Sequence, residues 1–512
     1  MKINFGSQRA FDKKNEYLIG IVLLSAGILL FTVAYSYLAL TRHQTFNSTG
    51  YDLAIMEQIV WNTAQGDYFA SSLEVDNSFA DHFRPMLGLL VPFYLLYPRP
   101  EFLLIFQVVG LALGALPVYL LAHDKLNSVW AAVGFAAVYL LTPALGFIIR
   151  FDFHIEFLAI PAFVAAILYI EREQWRWVSF WLVIPLLCKE NMGLSVAAVG
   201  SWMIAREWQA LFEARFNLFI TSREMVRVRF GLLWVIIGLL TFGLTSFVII
   251  PSVRGEDSDS LSRYAWFFEE DNGPVVERAA AFLQTPPRPE TLWQTFGATG
   301  FLAVLALPEL IMVAPGLAQN LLAEHFCQPT IYCHYTTPVI PFIIVASILA
   351  VYRISRRWLI PYLTEILTVI AVVAAIFFWR QDNPFEPVPF LPGWENPPDN
   401  HAVVEQALAV VPPAGSLVTT NDYAPHLARR RELYVIGLPS QRDAPVDPEL
   451  IFLNLYDQQY IVCDQIKMYI DQLEVERYGT LFRTGGLIVI ARDQGDPNQY
   501  ADFVNNWNNC AG

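Results

Sequence analysis

Several short clusters in this chain hold the residue types that catalysts use. Asp52 follows Tyr51 and opens an amphipathic run through Glu57 and Trp61, and Asp81-His82-Phe83-Arg84-Pro85 comes next. Asp152, His154 and Glu156 alternate along one turn, Lys189 and Glu190 are adjacent inside an apolar stretch, and His334-Tyr335 follow Cys333. A carboxylate can take a proton as a general base. Guanidinium and ammonium groups match the charge of a phosphate, which makes His82, Arg84 and Lys189 anion-binding candidates. Imidazole and carboxylate also suit Mg²⁺ or Mn²⁺, so Asp152, His154 and Glu156 are candidate metal ligands. The same spacing arises from a helix-start histidine bonded to a carbonyl, and an N-cap carboxylate would read like Asp52.

These groups need elements that can hold charge at the edge of an apolar phase. The chain has 512 residues, 55% of them hydrophobic and only 16% charged, with a mean hydropathy of +0.40. That balance points to an α-helical polytopic membrane protein. Apolar runs able to cross about 30 Å of hydrocarbon recur from residue 17 to residue 379. Reading them against basic loops predicts eleven spans, at 17–40, 100–122, 129–149, 155–171, 177–189, 191–205, 230–251, 293–307, 308–323, 335–352 and 358–379. The first run follows Lys2, Arg9, Lys13 and Lys14 but is too long for a signal peptide, so it is read as a retained helix with a cytoplasmic N-terminus. Parity makes Phe83 to Tyr97 a juxtamembrane or re-entrant segment and makes 177–205 two short helices meeting near Lys189, because otherwise the Arg-rich loops would be exported.

Residues 1–379 then form the membrane module, with an outer loop at 41–99. A Pro-rich linker spans 380–398, and 399–512 is a small extracytoplasmic α/β domain. Its expected elements are a helix around Val403 to Val410, a strand Ser416 to Thr420, a helix near Pro425 to Arg430, and strands at Leu433 to Ile436, Tyr460 to Cys463 and Leu487 to Ala491. From Gln381 onward there are 18 acidic against 8 basic residues, and the whole chain carries −14, which excludes a nucleic-acid surface. Cys327 and Cys333 share a short outer loop, either as a disulfide or as two thiols. No glycine-rich phosphate loop and no internal repeat is visible in the sequence.

With this topology Asp52, Glu57, His82, Arg84, Asp152, His154, Glu156, Lys189, Glu190, His334 and Tyr335 all face one compartment. An ionised side chain in hydrocarbon costs about 2.5 to 3.5 kcal/mol even on a lenient scale, so Lys189 and Glu190 either line a polar cavity or pair to hold helices together.

At these residues the chain resembles the bacterial family known as domain of unknown function 2079. The resemblance rests on Tyr51-Asp52-Leu53 with Trp61-Asn62-Thr63, His82-Phe83 with Pro85, Phe153-His154-Ile155-Glu156, Lys189-Glu190-Asn191, and His334-Tyr335 before Pro338. Val411-Pro412-Pro413 and Pro425-His426-Leu427 extend it into the tail. The chain departs from the family pattern at Ile155, where proline is usual, and at Asn191, where aspartate is usual. That family is similar to the GT-C superfamily of membrane glycosyltransferases of cell-envelope assembly. The resemblance implies a GT-C-like fold in a bacterial plasma membrane, a polyprenyl-phosphate sugar donor, and a glycan or protein acceptor outside the cytoplasm. It also implies that Asp52 is the carboxylate of the first outer loop.

Two functions fit this reading. In the first, Asp52 is the base for glycosyl transfer, and His82, Arg84 and Lys189 hold the phosphate, with Glu190 tuning Lys189. His154 and Glu156 then orient the sugar or hold a divalent cation. In the second, the same cavity belongs to a non-catalytic transporter or a lipid- or glycan-binding scaffold. Both require one sidedness. Cysteines placed beside Asp52, His154, Lys189 and His334 are expected to react with a membrane-impermeant thiol reagent from the outer side, and labelling of any two from opposite sides would dissolve the site.

Overall fold

The computed structural model describes residues 5–74, 77–216, 222–255, 263–266, 274–388, 393–437, 445, 447–454 and 463–500. It is mainly helical. Among the described residues five helical stretches are long and apolar enough to cross a membrane: Asn15–Gln44, Pro100–Leu126, Val129–Arg150, Arg223–Arg254 and Leu363–Gln381. Helices at Ala159–Glu171, Leu310–Leu321 and Ile340–Trp358 fall on other expected runs. The run at 293–307 is not one helix: Arg288–Gly297 ends, and a separate turn, Leu302–Leu305, follows it. The expected pair near Lys189 is present as Trp175–Cys188 and Met192–Arg206, and Phe83 to Tyr97 contains the nine-residue helix Met86–Tyr94.

Local sequence sets several of these boundaries. Helix Val129–Leu140 starts at Ser128, whose hydroxyl accepts from the Ala131 amide at 3.3 Å. It stops before Pro143, which lacks an N–H and keeps Thr142 extended, and the chain then restarts as Pro143–Arg150. That restart brings Asp152 to the end of the bundle. Helices Met192–Arg206 and Arg223–Leu244 pack in antiparallel fashion through two glycine pairs. A Cβ on Gly193 would lie 2.5 Å from the Gly238 carbonyl oxygen, and one on Gly200 would lie 2.4 Å from that of Gly231. Small residues let backbones touch where lipid supplies no hydrophobic drive, and this contact fixes the helix that begins just after Lys189-Glu190-Asn191.

The helices sort charge to two ends. Glu171 pairs with Lys125 and Arg206, Asp124 with Arg172, and Arg227 with Glu173 and Glu207. Lys125, Glu171 and Arg206 lie at or near the C-terminal ends of helices whose N-terminal ends carry Pro100, Ala159 and Met192. The candidate site is therefore at the opposite end of the bundle from these pairs.

The tail forms a five-stranded sheet in the order β2-β1-β3-β5-β4, with β1 Leu417–Thr419, β2 Leu433–Val435, β3 Leu450–Asn454, β4 Tyr478–Thr484 and β5 Leu487–Arg492. β1 runs parallel to β2 and β3, while β5 pairs antiparallel with β3 and with β4. β3 and β4 were not among the expected strands. Of the expected strand Tyr460 to Cys463, residues 460–462 lie outside the described residues, and Cys463 begins helix Cys463–Ile470. Alternation along β3 sends Leu450 and Phe452 into the apolar cluster shared with the membrane helices, and Ile451 and Leu453 into a second cluster with Ile466 and Tyr469. The sheet is thus bound to the membrane module by a continuous core.

Because the glycine contact leaves no room for a side chain, Gly200→Val is expected to cost about 3 kcal/mol, at the upper end for overpacking. Thermal unfolding in detergent measures it, and a melting temperature equal to wild type would show that the helices can separate freely.

Candidate functional site

Residues Gly50–Ala54 form a π-helical turn that runs into helix Ile55–Ala64 and carries Asp52. Asp52 Oδ1 lies 3.1 Å from His154 Nε2, and Asp52 Oδ2 accepts from the Thr49 hydroxyl at 3.1 Å. That hydroxyl also lies 3.3 Å from Asp152 Oδ2, which accepts from the Thr49 amide at 2.9 Å. The other Asp152 oxygen pairs with Arg42, from the last turn of the first helix. Asp152 has a left-handed backbone, φ 68°, and Gln107 holds this bend in place. The Gln107 amide donates to the Asp152 carbonyl at 2.8 Å, and its oxygen accepts from the His154 amide at 2.8 Å.

From His154 the contacts continue across the bundle. Its ring stacks on His334 with centroids 3.7 Å apart and planes 16° apart. His334 Nε2 stands 3.6 Å from Glu156 Oε1, which accepts from Lys189 Nζ at 3.1 Å. Lys189 ends its helix in an extended conformation, and the next residue, Glu190, accepts from His82 Nδ1 at 2.8 Å and from the Phe83 amide at 3.1 Å. Arg84, almost fully buried, reaches Asp81 at 3.3 Å and Glu74 at 3.4 Å. Burial, together with the neighbouring His154, Lys189, His82 and Arg84, holds the His334 imidazole well below its usual pKa, so it is neutral at pH 7.

The structure therefore gathers Asp52, Asp152, His154, Glu156, Lys189, Glu190, His82, Arg84 and His334 at one end of the bundle. Tyr335 borders the group: its ring lies against His334, and its phenol oxygen accepts from Arg263 at 3.3 Å. Glu57 joins none of these contacts. It is buried against Tyr94, whose hydroxyl donates to Glu57 Oε1 at 2.5 Å. Asn191, which stands where a carboxylate is usual, bonds Gln319 at 3.0 Å. Arg42, Thr49, Gln107 and Arg263 escaped the sequence reading. Gln107 had a signal, a lone polar residue in an apolar run, whereas Arg42 looked like any basic residue at a helix end.

Asp152, His154 and Glu156 do not converge as a donor set. Asp152 is committed to Arg42 and Thr49, His154 Nε2 to Asp52, and Glu156 to Lys189. Among the described residues no group of three or more His, Cys, Asp or Glu is arranged to hold a metal ion. Three buried atoms of the cluster, His154 Nδ1, Glu156 Oε2 and His334 Nδ1, have no hydrogen-bond partner among the described residues. Buried polar atoms are normally bonded, so these are ready to receive a polar ligand. Cys327 and Cys333, with Cα atoms 6.1 Å apart, are joined as a disulfide in the loop that leads to His334.

A family model described as predicted membrane protein (DUF2079) matches residues 42–489. The fold is similar to the crystal structure of ArnT from Cupriavidus metallidurans bound to undecaprenyl phosphate, with a TM-score of 0.52 and 11% identity over 91% of this chain and 97% of that one. At that identity the likeness shows the fold, and the expected GT-C-like architecture is borne out. No curated protein matches the sequence.

Glu57 supplies a test of the loop after the first helix that is independent of chemistry. Burial lifts its carboxyl to about 8, with Tyr94 and Arg429 pulling the other way. A raised folded-state pKa means that its contribution to stability is complete below the usual value of 4.5 and is lost as pH climbs towards 8. At about 1.4 kcal/mol per pH unit, a loss of a few kcal/mol is expected across that window. Glu57→Gln should flatten this part of the pH profile of thermal unfolding, and an unchanged slope would remove Glu57 as its source.

Proposed function

For this chain, which belongs to the DUF2079 family of predicted membrane proteins, we propose glycosyl transfer from a polyprenyl-phosphate sugar to a glycan or protein acceptor on the extracytoplasmic side of a bacterial plasma membrane. One observation carries the reading. Asp52, with 15% of its side chain exposed, is held by His154 and Thr49 within a cluster that also contains the cations Lys189 and Arg84. A carboxylate oriented in this way can take a proton from a bound hydroxyl.

In the proposed step the acceptor hydroxyl attacks the anomeric carbon, its proton passes to Asp52, and the bond from that carbon to the phosphate oxygen breaks. Polyprenyl phosphate leaves with the bonding electrons. Lys189, Arg84 and His82 face the charge that develops on the leaving phosphate, and fixed cations in a site shielded from water stabilise it without reorganisation. Glu156 and Glu190 keep Lys189 protonated and in place. The unpartnered atoms of His154, His334 and Glu156 are suited to sugar hydroxyls.

Asp52→Asn preserves shape and removes the base. With purified protein and a panel of polyprenyl-phosphate hexoses and pentoses, release of polyprenyl phosphate is expected to slow by about 100-fold or more, within the range for loss of a general base. Binding of undecaprenyl phosphate, read by native mass spectrometry, should stay near wild type. Unchanged turnover would remove Asp52 from the mechanism, and flux of substrate through proteoliposomes without any glycosyl product would replace the enzyme by a transporter.

A further inference from the structure

The sheet of the tail has a switch in strand order beside the membrane module. β1 lies between β2 and β3, so the chain leaves β1 towards one side and returns as β3 on the other. The carboxyl ends of strands at such a point usually frame a ligand crevice. Here the residues after β1, Thr420, Asn421 and Asp422, are buried. What lies against them is the chain's own Asp52 turn.

That turn begins with backbone amides that have no acceptor within it, a need normally met by the side chain of the preceding residue. Thr49 precedes it with extended backbone, φ −111° and ψ 148°, but makes no capping bond. Its hydroxyl is used on Asp52 and Asp152 instead. Asn421 supplies the missing acceptors. The Gly50 amide donates to the Asn421 carbonyl oxygen at 2.8 Å and to its Oδ1 at 3.0 Å, and the Tyr51 amide lies 3.3 Å from the same Oδ1. The approach leaves little room for a side chain: a Cβ on Gly50 would stand 3.0 Å from the Ala424 Cβ and 3.2 Å from both Asn421 oxygens.

We propose that Asn421 is a positioning residue of the site, the point at which the tail domain caps the turn that carries Asp52 and so sets the direction of its carboxylate. The inference rests on the reading of Asp52 as the base. Because Asn421 takes the amides, the Thr49 hydroxyl is free to tie Asp52 to Asp152. Without Asn421 the same hydroxyl is drawn towards the uncapped amides, and Asp52 loses one of its two holds. The tail domain is then a structural part of the reacting centre.

The test uses the full chain in nanodiscs, as wild type, Asn421→Ala and Asn421→Asp, the last keeping an acceptor oxygen at the helix start, where negative charge is favoured. Hydrogen exchange at the Tyr51 amide, which is held by the Asn421 side chain, is expected to accelerate about 10-fold or more in Asn421→Ala and to return close to wild type in Asn421→Asp, while the Gly50 amide keeps its bond to the Asn421 backbone carbonyl in both variants. Release of polyprenyl phosphate from the same donor panel should show kcat reduced about 10- to 100-fold in Asn421→Ala with the donor KM little changed, as for a misplaced catalytic group. Asn421→Asp should restore most of kcat. Unchanged exchange in Asn421→Ala overturns the proposal, as does a fall in kcat that Asn421→Asp leaves uncorrected. A wild-type protein inactive with every donor instead removes the reading of Asp52, and the exchange measurement alone then upholds or overturns the cap.

Discussion

Asp152, Glu156 and Glu190 enter an apolar bundle at the ends of its helices, where water is scarce and each carboxylate needs a cation or a hydrogen-bond donor close by. The partners come from distant parts of the chain: Arg42 from the first helix, Lys189 from a break between two short helices, His82 from the loop after the first helix. Meeting this requirement ties the elements to one another at that end. The same requirement is met more simply at the opposite end, where Glu171 is shared by Lys125 and Arg206 and nothing is left over.

The difference between the two ends is what gives the first its chemical interest. Asp52 is met by an imidazole and a hydroxyl, and His154, His334 and Glu156 each keep a buried atom without a hydrogen-bond partner among the described residues. A purely structural ion-pair network gains nothing from such atoms, since each unmade bond costs roughly 1 to 3 kcal/mol. A network that must receive a polar substrate has to keep them. The stacked pair of imidazoles is likewise easiest to hold if at least one ring is uncharged, which burial ensures for His334.

The tail shares an apolar core with the membrane helices and lends a side chain to the Asp52 turn, so it belongs to the same folding unit. The linker region reinforces the attachment: the Arg150 guanidinium donates to the Pro384 and Glu386 carbonyls, and the Trp394 indole donates to the Phe385 carbonyl at 2.8 Å. Charge counting treated the domain as an acidic surface of its own, and could not see that its inner face is apolar and turned towards the bilayer side of the molecule.

Much of this was legible in the residues. Runs of apolar side chains long enough to cover hydrocarbon form helices, so the spans expected at 17–40, 100–122 and 358–379 follow from composition, and they lie within or overlap Phe5–Gln44, Pro100–Leu126 and Leu363–Gln381. Parity of the basic loops split 177–205 near Lys189, and short apolar runs marked β1, β2 and β5, while β3 and β4 were not read from the sequence. Clustering of His, Asp, Glu and Lys near helix ends also marked the site residues. Only the tertiary structure decided which of them meet, that Glu57 stands apart with Tyr94, and that Asp152 pairs with Arg42. Sequence determines which groups are driven to the rim of the apolar phase, because that depends on each residue's own solvation. The partner each one finds depends on distances between helices far apart in the chain, which are set by packing such as the glycine contact of Gly200 with Gly231 and the cap that Asn421 places on Gly50.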